Sequence, residues 1–284
     1  MRITSDRFAP VRAQIVSKGF LARELAYGYF TRGKPLKILF SEREGWVEPL
    51  ARKFRFTRHD VTFGDIQHAD LTGYDIVVPL AMEDLRFLSS LQPAPNNLIP
   101  IPTRRVVDLC DDKLEFERHL AGHGFGHWLP QAGTRLAFPY VLKRNLDEAG
   151  KHCHIVTDPE TERALPAECA GADYLKQEFI AGRHEYASHI LFIGGRIVYA
   201  LTIAYGYATD YPIKGRSAPA YMLLCSCPWL SLFTSMLSVL EFQGLCCVNY
   251  KMRNGEPVVL EINPRLGRSA TGYFFAFLRH LESR

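Results

Sequence analysis

Three polar side chains near the end of the chain have the types and spacing of a cation site. Asn249 precedes Glu261 by twelve residues, and Asn263 follows Glu261 by two. Residues two apart share one face of a β-strand, so Glu261 and Asn263 would point the same way from the apolar run VVLEIN. A carboxylate and two amide oxygens suit Mg²⁺, a hard ion that takes further ligands from phosphates and water. The ordinary alternative is a hairpin end whose polar groups reach solvent.

The loop between the two strands decides whether Asn249 joins this face. A two-residue turn would put Asn249 and Glu261 on opposite faces of the hairpin. A three-residue loop over Arg253-Asn254-Gly255, with a left-handed Gly255, would put them on the same face. We therefore expect a loop of odd length, with Asn249 and Glu261 converging on one cation.

Five segments, in chain order, resemble the ATP-grasp superfamily. The last is the hairpin, in which Asn249 is followed by EINPRLG, similar to the E-x-N-x-R that closes the family's ATP site. The others are Asp112-Lys113 at a helix start, Lys143 in PYVLK, Asn145–His154 with Gly150, and QEFIAG from Gln177. Any one segment has an ordinary explanation, but five in order argue against coincidence. The resemblance runs from about Asp112 to Gly267.

The resemblance implies a role for each matching residue around ATP. Lys113 would reach an ATP phosphate, and Lys143 would contact the α- and β-phosphates beneath a flexible loop formed by Asn145–His154. The hinge would bind adenine through its first side chain and the backbone that follows, which assigns Gln177, Glu178, Phe179 and Ile180. The hairpin would hold Mg²⁺, or Mn²⁺ as the alternative, through Asn249, Glu261 and Asn263.

Three positions depart from the family pattern. An acidic residue usually stands where this chain has Asn249, so one metal ion or two stays open. The glutamate that commonly meets the ribose lies one residue further from the hinge, so Glu185 is our assignment and His184 the alternative. Many amine ligases have an arginine where this chain has Cys247. The negative charge of the transition state would then be neutralised by Arg265, the metal or a residue of a long loop.

The function implied by the resemblance is an ATP-dependent carboxylate–amine ligase that forms an acyl phosphate and releases ADP. Arg265 and Lys143 would be the catalytic residues, with Arg265 holding the substrate carboxylate or the acyl phosphate. Lys214 and Arg216, in the loop Tyr205–Pro219, would recognise an acidic substrate or, equally, lie on a solvated loop. The alternatives are an ATP-grasp enzyme with a non-amine acceptor and a degenerate ATP-binding regulator.

The elements that must position these residues follow from apolar periodicity and turn signals. Alternating strands and helices from about residue 35 to 105, including KILF and YDIVV, predict a small parallel α/β unit. Helices are expected near 11–30, 83–91, 113–121, 161–169 and 230–242. Strands are expected at 139–143, 154–157, 174–180, 184–192, 196–204, 245–252 and 256–263.

We therefore predict an α/β (α+β) chain with the ATP-grasp fold, in which two α+β subdomains clasp ATP. The predicted boundaries are a helical extension over 1–34, an N-terminal α/β domain over 35–108 and an ATP-grasp domain over 109–284. The last divides into a central subdomain over 109–176 and a C-terminal subdomain over 177–284.

Composition favours a soluble, cytoplasmic protein, because no apolar run is long enough to span a membrane. The basic N-terminus also weakly resembles a transit peptide. Seven cysteines without a regular framework indicate reduced thiols. The net charge is +4, and residues 1–60 hold 13 basic and 6 acidic residues, +7, which leaves −3 elsewhere. No nucleic-acid motif accompanies this basic region. The expected partners are a small-molecule or carrier-linked carboxylate and an amine acceptor; a homodimer stays open.

Overall fold

The computed structural model describes residues 34–55, 57–148 and 150–282, together with residues 19 and 22. The helix predicted near 11–30 and the rest of the N-terminal extension lie outside these ranges, apart from residues 19, 22 and 34. Three sheets, one parallel and two antiparallel, are surrounded by helices, which confirms the predicted mixed α/β class.

The first sheet is the small parallel unit predicted for the N-terminal domain. Its strands are β1 (Lys37–Ser41), β2 (Asp60–Gly64) and β3 (Ile76–Val78), in the order β2-β1-β3. Helix α1 (Val47–Phe54) connects β1 to β2, and α2 (Met82–Leu88) follows β3. Strand β2 was not predicted from the sequence, because this edge strand is only half-buried and lacks a continuous apolar run.

The second sheet is antiparallel, with the order β5-β4-β6. Its strands are β4 (Tyr140–Arg144), β5 (Cys153–Val156) and β6 (Tyr174–Glu178). Helices α3 (Arg104–Asp111) and α4 (Lys113–Leu120) precede the sheet along the chain, and α5 (Pro159–Arg163) lies between β5 and β6. The helix predicted over 161–169 is wrong in extent. Asp158 caps α5 through the amides of Glu160 and Thr161, and a separate 3-10 turn follows at Ala167–Ala170. Pro166, which lacks an N–H and disfavours the preceding helical turn, separates the two.

The third sheet has five antiparallel strands in the order β11-β10-β7-β8-β9. They are β7 (His184–Ile193), β8 (Arg196–Gly206), β9 (Tyr221–Cys225), β10 (Gly244–Arg253) and β11 (Glu256–Asn263). Helices α6 (Leu230–Val239) and α7 (Phe274–Glu282) complete the described elements. Neither β9 nor α7 was predicted from the sequence. No described helix combines the length and apolar character needed to cross a membrane.

Apolar residues cover both faces of the five-stranded sheet. On one face, Val248 and Ile190 pack with Phe116 of α4 and Phe233 of α6. On the other, residues such as Leu245 pack with the parallel sheet and α7. All seven cysteines are free, as predicted. Because the sheet is held on both sides, the ends of β10, β11 and β7 are rigid supports for polar side chains.

Candidate active site

The hairpin β10–β11 brings Asn249 and Glu261 together, but through a different geometry from the predicted one. The predicted three-residue loop is wrong, since Arg253 pairs directly with Glu256 across a two-residue turn. Both turn residues, Asn254 and Gly255, have positive φ, as a type I′ turn requires.

A β-bulge restores the alignment that the short turn would have destroyed. Tyr250 pairs with Val259, whereas Asn249 pairs with Glu261, so Leu260 is the extra residue on β11. One extra residue reverses the side-chain alternation beyond it. Asn249 and Glu261 therefore face each other.

Glu261 is the centre of the hairpin cluster. Its Oε1 accepts hydrogen bonds from Asn249 Nδ2 at 2.6 Å and from Asn263 Nδ2 at 2.8 Å. Burial raises the pKa of Glu261, but Lys113, the two amides and Lys143 together lower it below its ordinary value. The structure thus brings the three predicted metal ligands together around one ionised carboxylate.

Lys214 joins this cluster from the long loop between β8 and β9. Its Nζ donates to Asn249 Oδ1 at 2.5 Å, lies 3.3 Å from Glu185 Oε1 and stacks over Tyr205 at 4.5 Å from the ring centroid. Burial lowers the pKa of Lys214, but Glu185 and the other nearby acidic groups raise it further, so the net shift is upward. An ammonium group therefore lies beside Asn249, one of the three predicted metal ligands.

Arg216 does not share this position. Its side chain is exposed and donates from NH1 to the carbonyl of Cys153 on β5, at 2.8 Å. The structure therefore separates the two loop cations predicted to recognise substrate, and Lys214 alone lies at the hairpin cluster.

Lys143 lies in the interior of the second sheet, on β4, and is paired with an acid that sequence reasoning missed. Its Nζ is 3.8 Å from Glu117 Oε1, and the buried Gln177 donates a hydrogen bond to the same oxygen. Burial lowers the pKa of Lys143 and raises that of Glu117. A signal for Glu117 existed, because it follows Lys113 by four residues on α4 and so shares its helix face.

Lys113 tethers the segment that connects β4 to β5. Its Nζ donates to the carbonyls of Asn145 at 2.8 Å and of Asp147 at 2.9 Å, while Asn145 Oδ1 accepts the amide of Leu114. Asp112 caps α4 by accepting the Glu115 amide, which sets Lys113 at the helix start. The predicted phosphate lysine and the predicted phosphate-covering loop are therefore in direct contact.

Two basic residues on β10 hold the hinge that follows β6. Arg253 donates from NH1 to both carboxylate oxygens of Glu178, at 2.8 and 3.1 Å. Lys251 donates to the carbonyl of Gly182 at 2.8 Å and lies over the ring of Phe179 at 5.1 Å. The side chain of Glu178 is thus engaged within the protein, and the hinge backbone is positioned by the same hairpin that carries Glu261.

The two ribose candidates face different surroundings. Glu185 is buried beside Lys214, whereas His184 is exposed and its Nε2 lies 2.6 Å from the hydroxyl of Tyr221. Ile180, the last hinge residue assigned to adenine, is buried. Of the two candidates, Glu185 is the one that the structure brings to the hairpin cluster.

Arg265 is buried directly after β11. Its NH1 donates to the carbonyl of Leu266 at 3.2 Å, and its NH2 donates to Glu148 at 3.3 Å. A pocket beside it is lined by residues that include Lys113, Glu148, Glu261 and Asn263. Glu261, Lys113 and the β4–β5 segment therefore open onto one space.

The sequence matches the ATP-grasp domain over residues 110–269. This match covers more than half of the chain. The chain belongs to the ATP-grasp family. No curated protein matches the sequence.

Solved ATP-grasp structures share this fold at low sequence identity. D-alanine–D-alanine ligase from Bacillus anthracis has a TM-score of 0.61 and 13% identity, covering 88% of this chain and 97% of that one. Phosphoribosylamine–glycine ligase from Thermotoga maritima has a TM-score of 0.62 and 16% identity over 87% and 75%. L-amino acid ligase from Bacillus licheniformis has a TM-score of 0.58 and 16% identity over 86% and 70%.

The ATP-grasp match contains every site residue predicted from the sequence, from Lys113 to Arg265. Arg43 and Trp46, which lie against Arg265 and Glu148, are outside it, on the N-terminal unit. Nothing in the spacing of these two residues indicated that they would meet the ATP-grasp site.

Proposed function

We propose that the protein is an ATP-dependent carboxylate–amine ligase. The observation that carries this proposal is the cluster around Glu261, in which an ionised carboxylate lies between two amides and lines a pocket with Lys113. Such a site combines an acid for a divalent cation with a cation for a phosphate group. Arg265, adjacent to it, adds a guanidinium suited to a carboxylate or an acyl phosphate.

The proposed reaction has two steps. A substrate carboxylate oxygen attacks the γ-phosphorus of ATP, the bond to the β–γ bridging oxygen breaks, and an acyl phosphate and ADP form. An amine nitrogen then bonds to the acyl carbon, phosphate leaves with the electrons of the broken C–O bond, and the amine loses a proton. The protein contributes positioning and charge neutralisation, so no covalent protein intermediate is required.

Several cations of this chain would offset the triphosphate. Lys143 would leave its contact with Glu117 for a phosphate oxygen, and Lys113 would exchange loop carbonyls for phosphate. Burial favours this exchange, because a phosphate is a stronger partner for a desolvated ammonium than a carbonyl or a carboxylate 3.8 Å away. Adenine would lie along the hinge that Arg253 and Lys251 hold.

The donor set at the hairpin fits Mg²⁺, or Mn²⁺ as the alternative, through Glu261 and Asn263. Both amides bond Glu261 Oε1, which leaves Oε2 for a cation, and Asn263 can present its oxygen after a turn of its amide. The metal would polarise the phosphate oxygens and offset their charge. Asn249 differs from these two residues, because its oxygen already accepts a hydrogen bond from the Lys214 ammonium. We propose that this ammonium takes the place of a second metal ion.

The similar structures support a small acid as the substrate. Their names describe ligases of D-alanine, of L-amino acids and of phosphoribosylamine with glycine. We propose a small or carrier-linked carboxylate and an amine acceptor for this chain, and we place the reaction in the cytoplasm. A non-amine acceptor is the second candidate, since Cys247 stands where amine ligases often have an arginine.

The test is ADP formation with a panel of acids and amines, followed by mass spectrometry of the product. Glu261→Ala is expected to abolish ATP turnover while the circular dichroism spectrum stays unchanged. Glu241→Ala, which removes an exposed acid paired with Arg105, is the matched control and should turn over ATP normally. Normal turnover by Glu261→Ala refutes the assignment. ATP binding without turnover for any substrate pair would instead favour the regulator.

A further inference from the structure

Two guanidinium groups from distant parts of the chain converge on one carboxylate beside the pocket. Arg43 NH2 lies 2.6 Å from Glu148 Oε2, and Arg265 NH2 lies 3.3 Å from Glu148 Oε1. Arg43 follows β1 in the N-terminal unit, Arg265 follows β11, and Glu148 belongs to the segment between β4 and β5. The carboxylate is thus held by both of its oxygens, one on each arginine.

The two arginines are held in place independently of Glu148. Trp46 lies under both, with its ring centroid 4.9 Å from Arg43 Cζ and 5.3 Å from Arg265 Cζ. Arg43 NH1 also donates to the carbonyl of Leu80 at 2.5 Å, and Arg265 NH1 donates to that of Leu266. The guanidiniums are therefore preorganised by an indole and two carbonyls, while the anion between them comes from a separate segment.

The arrangement is electrostatically incomplete without an anion. Arg265 is buried, and its Nε has no hydrogen-bond partner among the described residues. The pKa of Arg43 is lowered by burial and by the charge of Arg265, whereas Glu148 opposes both effects. Two desolvated like charges over one ring need a negative partner, because burial of an unpaired charge is costly. The site is consequently built to hold a carboxylate or a group of similar charge and shape.

We propose that Arg43 and Arg265 form the binding site for the carboxylate of the acid substrate, and that Glu148 is its internal occupant in the substrate-free protein. The proposal rests on the proposed function. Binding of the acid displaces Glu148 and with it the β4–β5 segment, whose backbone Lys113 holds at Asn145 and Asp147. Acid binding is therefore linked to the release of Lys113 for phosphate.

Glu148 and Arg43 acquire defined roles from this geometry. Arg43 is a binding residue for the substrate acid that lies outside the matched ATP-grasp domain. Glu148 is a competitor, because it reduces the apparent affinity for the acid to the intrinsic affinity multiplied by the fraction of molecules in which the site is free. The N-terminal unit thus supplies half of the acid site.

The test is chemical rescue with acetate, which matches the group that Glu148→Ala removes. Acetate is expected to raise the melting temperature of Glu148→Ala and to change its tryptophan fluorescence saturably through Trp46, relative to chloride at equal ionic strength. The wild type should need about tenfold more acetate for the same change, since Glu148 competes. Glu148→Gln, which removes the charge but keeps the size, should also respond more strongly than the wild type.

The controls separate this proposal from its rivals. Adding Arg43→Gln to Glu148→Ala should remove the response, and Glu241→Ala should respond as the wild type does. The proposal is overturned by a Glu148→Ala response no greater than that of the wild type, by a response that survives Arg43→Gln, or by preference for inorganic phosphate over acetate. Calorimetric ATP binding by each variant tests the proposed function separately, because failure there leaves the acetate result intact.

Discussion

Adding a second carboxylate to the Glu261 cluster tests the hairpin geometry and the role of Lys214 together. Asn263→Asp places the new carboxylate about 2.8 Å from Glu261 Oε1, the distance of the amide that it replaces. At an effective dielectric constant of about 20 the repulsion is ~6 kcal/mol. Protonation of one of the two carboxylates limits this cost at pH 7, because raising a carboxyl pKa from about 4 to 7 corresponds to ~4 kcal/mol. We expect Asn263→Asp to lose ~4 kcal/mol of unfolding free energy at pH 7.

Asn249→Asp is the matched comparison, because Lys214 lies beside it. The new carboxylate would be 2.6 Å from Glu261 Oε1 but 2.5 Å from the Lys214 ammonium, so repulsion and attraction nearly cancel. What remains is the lost hydrogen bond from the amide to a charged group, worth ~1.5–3 kcal/mol. Asn249→Asp should therefore be the milder of the two substitutions.

Urea unfolding in EDTA at several pH values measures both effects, and a parallel series replaces EDTA with Mn²⁺. The extra carboxyl in Asn263→Asp has its folded-state pKa raised above the unfolded value, so the folded protein binds more protons. Its deficit relative to the wild type should shrink by ~1.4 kcal/mol for each pH unit below 7. Mn²⁺ should stabilise this variant more than the wild type. Equal deficits for the two variants, or an Asn263→Asp deficit that is as large at pH 5 as at pH 7, would refute the geometry.

Three further predictions concern the lysines and a buried histidine. Lys143→Met should weaken ATP binding about 10–100-fold by calorimetry, because a charge-assisted phosphate contact is worth ~1.5–3 kcal/mol, whereas Lys176→Met, on the neighbouring strand, should not. Burial lowers the pKa of His189 to about 3, so the unfolded state takes up a proton first, and stability should fall by ~1.4 kcal/mol per pH unit as pH drops below about 6.5. Urea titrations of His189→Gln should lack this contribution, and an unchanged slope would contradict it. Electron paramagnetic resonance should count a single tightly bound Mn²⁺ per chain with an ATP analogue, and a second in Lys214→Met; two in the wild type would contradict our assignment.

The sequence predicted the grouping of candidate site residues wherever they are close along the chain. Glu261, Asn263 and Arg265 are fixed relative to one another by one strand and its proline, so their grouping followed from periodicity alone. Lys113 was predicted from the resemblance of Asp112-Lys113 to the family's helix start, and in the structure Asp112 caps that helix. The order of such segments also indicated the ATP-grasp family, which the domain match confirms.

The geometry of the β10–β11 hairpin could not be predicted from its local sequence. The odd loop was predicted because an even turn reverses the faces, and that rule holds. The chain satisfies it with a two-residue turn and a bulge at Leu260 instead. The choice depends on packing, since β10 and β11 bury apolar residues on both faces, and no local propensity distinguishes the two solutions.

The sequence by itself determined the mixed α/β class, the family and the local groups of site residues. The tertiary structure alone decided which distant polar side chains meet. Lys214 and Asn249 are separated by 35 residues, Arg43 and Glu148 by 105, and Glu148 and Arg265 by 117. Such contacts arise when three sheets and their helices pack, because the buried apolar surface sets the positions of the chain segments and the charges then pair across them. Residue type determines the charge and hydrogen-bonding capacity of each side chain, and packing determines which partner it contacts.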